Sequence, residues 1–293
     1  MLNRIPSMRE MLRDHSVELV PGDSRLIDSA IERLPAPTAV SLTWIPGSNP
    51  LEMISAAAKL RRAGLVVMPH IGARHLQSGR QLGELAERLV GEAGVDRVLI
   101  IGGDRSKPAG PFDSTLAVMQ SGAFQRVGIF RMAIAGFPEG NPHIPATVLQ
   151  EALAAKVELA RREGLRLSIV TQFCFSHEPI LDWIRRLRAR GIDVPVRIGL
   201  AGPAGIVTLV RYAARCGVGN SIRVLTENPS FAKALVDRGP EPIIRGIAAS
   251  LADEEARAAM GIAGLHFYTF GGLGRTLEWI ETTTSPRRLT VHT

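Results

Sequence analysis

The stretch Gly164-Leu165-Arg166-Leu167-Ser168-Ile169-Val170-Thr171-Gln172-Phe173 decides the fold. Gly164 falls where a helix C-terminal cap falls, because glycine enters the left-handed backbone region without a Cβ penalty. Arg166–Thr171 then reads as a strand whose two faces both carry apolar residues, as in a parallel sheet covered by helices. A polar residue, Gln172, stands at its C-terminal end. Amphipathic stretches flank it, from about Pro145 to Glu163 before and over Ile180–Arg190 after.

The same strand-then-helix unit recurs in both directions. Further strands read over Val17–Val20, Ala39–Thr43, Leu65–Pro69, Arg97–Ile101, Val127–Ala135, Val194–Leu200 and Leu265–Tyr268. Helices read over Ser24–Leu34, Leu51–Ala63, Arg80–Ala93, Ser114–Ser121, Gly205–Cys216 and Leu273–Glu281. Gly64, Gly94 and Gly191 precede strands as Gly164 does. Eight such units favour a closed (β/α)8 TIM barrel over a doubly wound sheet, and no GxGxxG follows the first strand. The whole chain, 1–293, reads as a single catalytic domain with a flexible tail over 285–293. Asn220–Gly264 is too long for a plain loop and is punctuated by Pro229, Pro240 and Pro242. It is expected to hold extra helices between the seventh and eighth units, placed to cover the barrel mouth.

Composition narrows the partners. Hydrophobic residues make up 45% and charged residues 22%, as in globular proteins. The formal charge of +7 is scattered: Arg61-Arg62, Arg161-Arg162 and Arg185-Arg186 each fall on an amphipathic helix, a solvated face rather than a nucleic-acid patch. With 5% aromatics there is little to stack on bases. Cys174 and Cys216 form no CxxC, so neither a metal site nor a disulfide scaffold is expected. The N-terminus lacks an apolar signal core, and no apolar run approaches the ~18 residues of a membrane span. A cytoplasmic protein with no membrane partner is expected.

Barrel enzymes place their chemistry at the C-terminal ends of strands. Those ends carry Glu18, Thr43-Trp44, Pro69-His70, Gly102-Gly103-Asp104, Gly136-Phe137-Pro138-Glu139, Gln172-Phe173 and His266-Phe267-Tyr268-Thr269. Each has a structural reading. Glu18 inside an apolar run is costly to bury unless paired, His70 alone suits a core hydrogen bond, and Asp104 after two glycines suits a turn. Glu18 is the one whose position most resembles a general acid with a raised pKa.

Taken together the ends are recognisable. The chain resembles the methylenetetrahydrofolate reductase family over nearly its full length. The resemblance rests on Ser16-Val17-Glu18, Val40-Ser41-Leu42-Thr43-Trp44, Met68-Pro69-His70, Gly103-Asp104, Phe137-Pro138-Glu139, Lys156, Ile169-Val170-Thr171-Gln172-Phe173 and His266-Phe267-Tyr268-Thr269. It implies hydride transfer to the methylene carbon of a folate. Carried over by position, Glu18 is the acid that opens the folate ring, and Asp104 is a second catalytic carboxylate. Gln172, Phe173, Thr43 and Tyr268 are substrate contacts, and His70, Gly103, Phe137, Glu139 and Lys156 line the cofactor site. The implied partners are folate and NADH or NADPH, with the oligomeric state left open.

The departures concern the flavin. Where flavin-dependent members carry a basic or polar group, this chain has Gly102, Phe137, Asn141, Leu149, Ala152 and Ala155, and Gly272 falls where relatives often have an Arg. Two phosphates need donors and positive charge. The reading is therefore direct hydride transfer from nicotinamide without tightly bound FAD. Its alternatives are a conventional FAD-dependent ping-pong reductase and a folate-binding barrel without turnover.

Overall fold

In the computed structural model, which describes residues 4–44, 47 and 49–285, every one of eight strands pairs in parallel with the next. They are β1 (Ser16–Leu19), β2 (Ala39–Leu42), β3 (Val66–Gly72), β4 (Arg97–Ile101), β5 (Arg131–Gly136), β6 (Arg166–Thr171), β7 (Val196–Ala201) and β8 (Ile262–Tyr268). β8 pairs back onto β1 through Ser16↔His266 and Val17↔Phe267, which closes the barrel. A short helix, α1 (Met8–Leu12), precedes the barrel and is fixed by a capping box between Ser7 and Glu10.

Helices α2 (Ser24–Arg33), α3 (Pro50–Arg62), α4 (Gly79–Gly91), α5 (Thr115–Gln120), α6 (Ala123–Arg126), α7 (Ala146–Arg162) and α8 (Glu178–Ala189) follow the first six strands. Between β7 and β8 come α9 (Ile206–Cys216), α10 (Gly219–Glu227), α11 (Pro229–Arg238), α12 (Glu241–Ala249) and α13 (Glu254–Met260), and α14 (Leu273–Thr284) ends the barrel. The expected extra helices are present. Of the paired arginines, Arg61 donates to the carbonyls of Gly94 and Leu65 and Arg161 to that of Gly191, while Arg162 and Arg185 pair with Glu163 and Asp182 on the surface.

Two boundaries differ from the sequence reading. The fifth strand, expected from Val127, begins at Arg131, because Val127 closes α6 and Gly128 (φ 84°) turns the chain before the strand. The eighth begins at Ile262 rather than Leu265, so the insertion ends earlier than Gly264. Of the tail expected over 285–293, residues 286–293 lie outside the described residues, and Ser285 caps α14 with its N–H on the Glu281 carbonyl.

The barrel has two apolar regions. The larger lies between strands and helices; the smaller lies inside, where Leu99, Ala133 and Val170 pack with Met68 and Ile101. Side chains alternate between these faces. Glu18, Ser41 and Met68 are register partners across three strands and so share the inner face, as do Ser16, His266 and Gly199. The interior is thus apolar on the β3–β6 side and polar on the β8–β1–β2 side.

Closure is tight at Gly199. A Cβ there would meet the Thr171 carbonyl oxygen at 2.1 Å and Tyr268 Cε2 at 2.7 Å, while its N–H donates to Thr171 Oγ1 at 2.8 Å. Gly199→Ala is expected to destabilise by at least about 2 kcal/mol in urea or thermal unfolding, since backbone cannot yield cheaply. Gly83→Ala in α4, where a Cβ meets nothing within 4 Å, is expected to be neutral or to stabilise by up to about 1 kcal/mol. Equal effects at the two positions would contradict this account of the interior.

Candidate active site

Glu18 points into the barrel from β1 with 20% of its side chain exposed. Its Oε2 lies 3.8 Å from Nδ1 of His70, which is 5% exposed. No lysine or arginine forms an ion pair with Glu18 among the described residues. Burial raises the Glu18 carboxyl to about 7 and lowers the His70 imidazole to about 3. Charging both would gain about 4 kcal/mol of attraction at an effective dielectric of about 20. Taking two ions out of water costs several kcal/mol each. The neutral pair is favoured, and Glu18 still holds its proton in about half of the molecules at pH 7.

The surroundings reinforce this. His266 accepts or donates at Nδ1 with Ser16 Oγ over 2.9 Å, and burial together with the neighbouring His70 drives its pKa well down. Nε2 of both histidines and Oγ of Ser41 are buried without a hydrogen-bond partner among the described residues. Tyr268 donates its hydroxyl to the Thr171 carbonyl at 2.9 Å, and burial followed by the Glu18 carboxylate raises its pKa. Thr269 Oγ1 donates to the Glu18 carbonyl at 2.8 Å, and the Thr43 N–H donates to the Leu19 carbonyl at 2.9 Å. The C-terminal end of β1 is therefore pinned from both sides at the level of the acid.

The remaining sequence-derived positions separate into groups. Asp104 is exposed and follows Gly103, whose φ of 90° favours glycine. His75 Nε2 lies 2.8 Å from its Oδ1, a contact the sequence reading did not foresee. The signal available was a second histidine five residues after His70 in the loop facing Gly103-Asp104. Gln172 is half-buried; its Oε1 accepts from the Phe173 N–H at 3.2 Å. Phe173 itself is fully buried, among Phe175, Tyr268 and Phe270 at ring separations of 5.6, 5.6 and 5.3 Å. It therefore packs beneath the mouth rather than lining it.

Phe137 and Glu139 are half-buried in the turn after β5, where Glu139 hydrogen bonds the Cys174 thiol. Burial, then Glu139, raises that thiol's pKa well above the usual range. Lys156 stands apart. It lies ten residues beyond Ala146 in α7, about 15 Å along the axis from the mouth-side end. Burial lowers its pKa, and it forms no ion pair among the described residues.

The insertion reaches the mouth through α9 rather than through Asn220–Gly264 alone. Tyr212 stacks on Phe270 at 4.2 Å, and Gly217 fits against Pro142, where a Cβ would lie 2.5 Å from the ring. The loops after β5, β7 and β8 are thereby joined. Two surface grooves lie elsewhere, one between α2 and α3 and one below the barrel beside Arg13, Asp14 and Arg257, with volumes of about 310 and 300 Å³.

With this geometry in place, comparison with known proteins is informative. The profile of the family described as methylenetetrahydrofolate reductase matches residues 20–282. A 5,10-methylenetetrahydrofolate reductase of Pectobacterium carotovorum subsp. carotovorum is 28% identical over 252 residues, covering 82% of this chain and 78% of the relative. Among solved structures, oxaloacetate acetylhydrolase aligns with a TM-score of 0.51 at 13% identity, over 94% of this chain and 84% of that one. A Burkholderia cenocepacia J2315 protein assigned as a phosphonomutase aligns with 0.50 at 14%, over 89% and 88%. At those identities the two structures speak for the barrel alone.

The Glu18 environment makes stability pH-dependent. Its folded pKa of about 7 exceeds the ordinary 4.5, so its stabilisation is complete below pH 4.5 and is lost as pH rises through 7. Glu18→Gln is expected to remove that loss. The variant should exceed wild type by up to about 3 kcal/mol at pH 8, with the advantage vanishing near pH 4.5. Urea unfolding across this range, with parallel curves for the two proteins, would rule out a buried neutral Glu18.

Proposed function

This chain belongs to the methylenetetrahydrofolate reductase family, and we propose that it reduces 5,10-methylenetetrahydrofolate to 5-methyltetrahydrofolate with hydride taken directly from NADH or NADPH. The observation that carries the reading is the carboxyl of Glu18, largely buried at the floor of the mouth with no cation beside it among the described residues, whose pKa burial raises to about 7. Methylenetetrahydrofolate holds its one-carbon unit in a five-membered ring. A proton delivered to the ring nitrogen that leaves opens it to a cationic iminium. Glu18 has a proton to give near pH 7, which an ordinary glutamate lacks.

The iminium carries positive charge next to the carbon that accepts hydride. Glu18, now a carboxylate, and Asp104 supply negative charge on that side. Hydride adds to the methylene carbon and produces the methyl group. One proton and one hydride are consumed, and the nicotinamide leaves oxidised. Gln172 is assigned to polar ring edges and Thr43 and Tyr268 to the walls of the substrate site. Neutral His70 keeps Glu18 from a stabilising cation and so keeps it an acid.

The residues present do not fit a tightly held FAD. Gly102, Asn141, Ala152 and Ala155 bring no charge to the region that would face a pyrophosphate. Lys156 is a single cation against two phosphates, and such a pair in a partly exposed groove gives only about 1 kcal/mol. Nanomolar retention needs about 12 kcal/mol. No step is therefore routed through a flavin. Gly103, Phe137 and Glu139 are assigned to the nicotinamide side of the mouth.

Two kinetic results are expected. Glu18→Gln should lower turnover by about 10² or more while remaining folded. Initial-rate plots varying folate and nicotinamide should intersect, because both must be bound together. Parallel lines with stoichiometric FAD in the purified protein would establish the ping-pong alternative. Folate binding without any nicotinamide oxidation would establish a barrel that binds but does not turn over.

A further inference from the structure

His75 is not among the residues that the family resemblance supplies, yet the mouth is built around it. Its side chain is 7% exposed, whereas Asp104, to which it is bonded at 2.8 Å, is 62% exposed. Gly103 (φ 90°) rests on the imidazole, and a Cβ there would lie 2.8 Å from His75 Cδ2. Gly72 also lies against it, with a Cβ position 3.0 Å from Trp44 Cδ1 and 3.1 Å from His75 Cδ2. The Trp44 ring lies 6.2 Å from the imidazole. Backbone bonds lock the two loops together: Arg74 N–H to the Gly102 carbonyl and Ala109 N–H to the Arg74 carbonyl, both at 2.9 Å.

The imidazole is thus held by groups other than Asp104, and Asp104 has no other bond that fixes its rotamer among those described. An exposed aspartate on a loop otherwise samples several rotamers. Because an ionised carboxylate only accepts, the bonded imidazole nitrogen, Nε2, carries the proton. One carboxylate oxygen is spent on this bond and the other remains free.

We propose that His75 is a positioning residue for the reaction: it donates Nε2–H to Asp104 and holds the free carboxylate oxygen towards the cationic folate intermediate. The proposal rests on the reductase reading. It accounts for the fit of Gly103 and Gly72, since a Cβ on Gly103 would push against the ring that aims the carboxylate and one on Gly72 would crowd Trp44 and that ring. A misaimed charge costs rate more than affinity, because the folate becomes cationic only after binding.

The test compares His75→Leu, which keeps bulk without a donor, with His75→Gln, whose amide donates from a similar reach. His75→Leu is expected to lower kcat about 10-fold or more with the folate KM changed less than about 3-fold, and His75→Gln to recover most of the loss. In an Asp104→Asn background, His75→Leu should cost nothing further. Independent losses in the double variant, or a Gln variant as slow as a well-folded Leu variant, would overturn the proposal. The pair is also read without turnover: long-range ¹⁵N imidazole spectra should show His75 protonated at Nε2, with a resonance shift in Asp104→Asn. Protonation at Nδ1 alone, or a spectrum indifferent to Asp104→Asn, would overturn the proposal even if a Leu variant failed to fold. Failure of the reductase reading has a different signature, the absence of folate-dependent nicotinamide oxidation in the wild-type protein.

Discussion

A carboxyl group buried without a cation is the constraint on which this barrel's chemistry depends. Glu18 lies among Ser41, His70 and Tyr268, and each of them leaves it neutral for a different reason. Ser41 brings no charge. His70 is buried too deeply to hold its own proton, and Tyr268 has its hydroxyl committed to the Thr171 carbonyl. Any one ordinary substitution, an arginine for His70 for example, would form an ion pair and turn a proton donor into a spectator carboxylate. The surrounding barrel leaves that carboxyl largely buried and, among the described residues, brings no lysine or arginine to it.

That arrangement divides the labour of the mouth by depth. The floor stores a proton in a low-dielectric environment, where the neutral acid is favoured. The rim carries a second carboxyl group, that of Asp104, which is exposed and bonded to His75. The two carboxyl groups differ in environment, one largely buried and one exposed, and burial raises the pKa of the first. The loops that carry the rim are tied to one another, by Tyr212 on Phe270 and Gly217 on Pro142 across the mouth, and by the bonds between Arg74, Gly102 and Ala109.

Much of this was legible in the sequence because it depends on local pattern. Gly164 followed by an apolar strand and a polar end states a βα unit by itself, and repetition states the barrel. Glu18 was legible because a carboxylate in an apolar run is expensive and so needs a reason. The start of the fifth strand was not, because Val127 and Ile129 look like strand residues until Gly128 bends between them. The burial of Phe173 was not legible either, because it lies beyond the end of β6 and its packing against Phe175, Tyr268 and Phe270 depends on residues distant in sequence. His75 was invisible for a different reason: its meaning comes from Asp104, 29 positions away, and no local pattern announces a contact between two loops.

The central claim is that Glu18 retains a proton into the neutral pH range because burial, and no partner, sets its affinity for the proton. The most direct measurement is a pH titration of its side-chain carboxyl by ¹³C NMR, assigned by comparison with Glu18→Gln. The account gives a midpoint at about 7, unmoved by added salt because no exposed charge contributes. A midpoint near the ordinary 4.5 would mean that Glu18 is already a carboxylate when folate arrives, and the proposed mechanism would lose its acid.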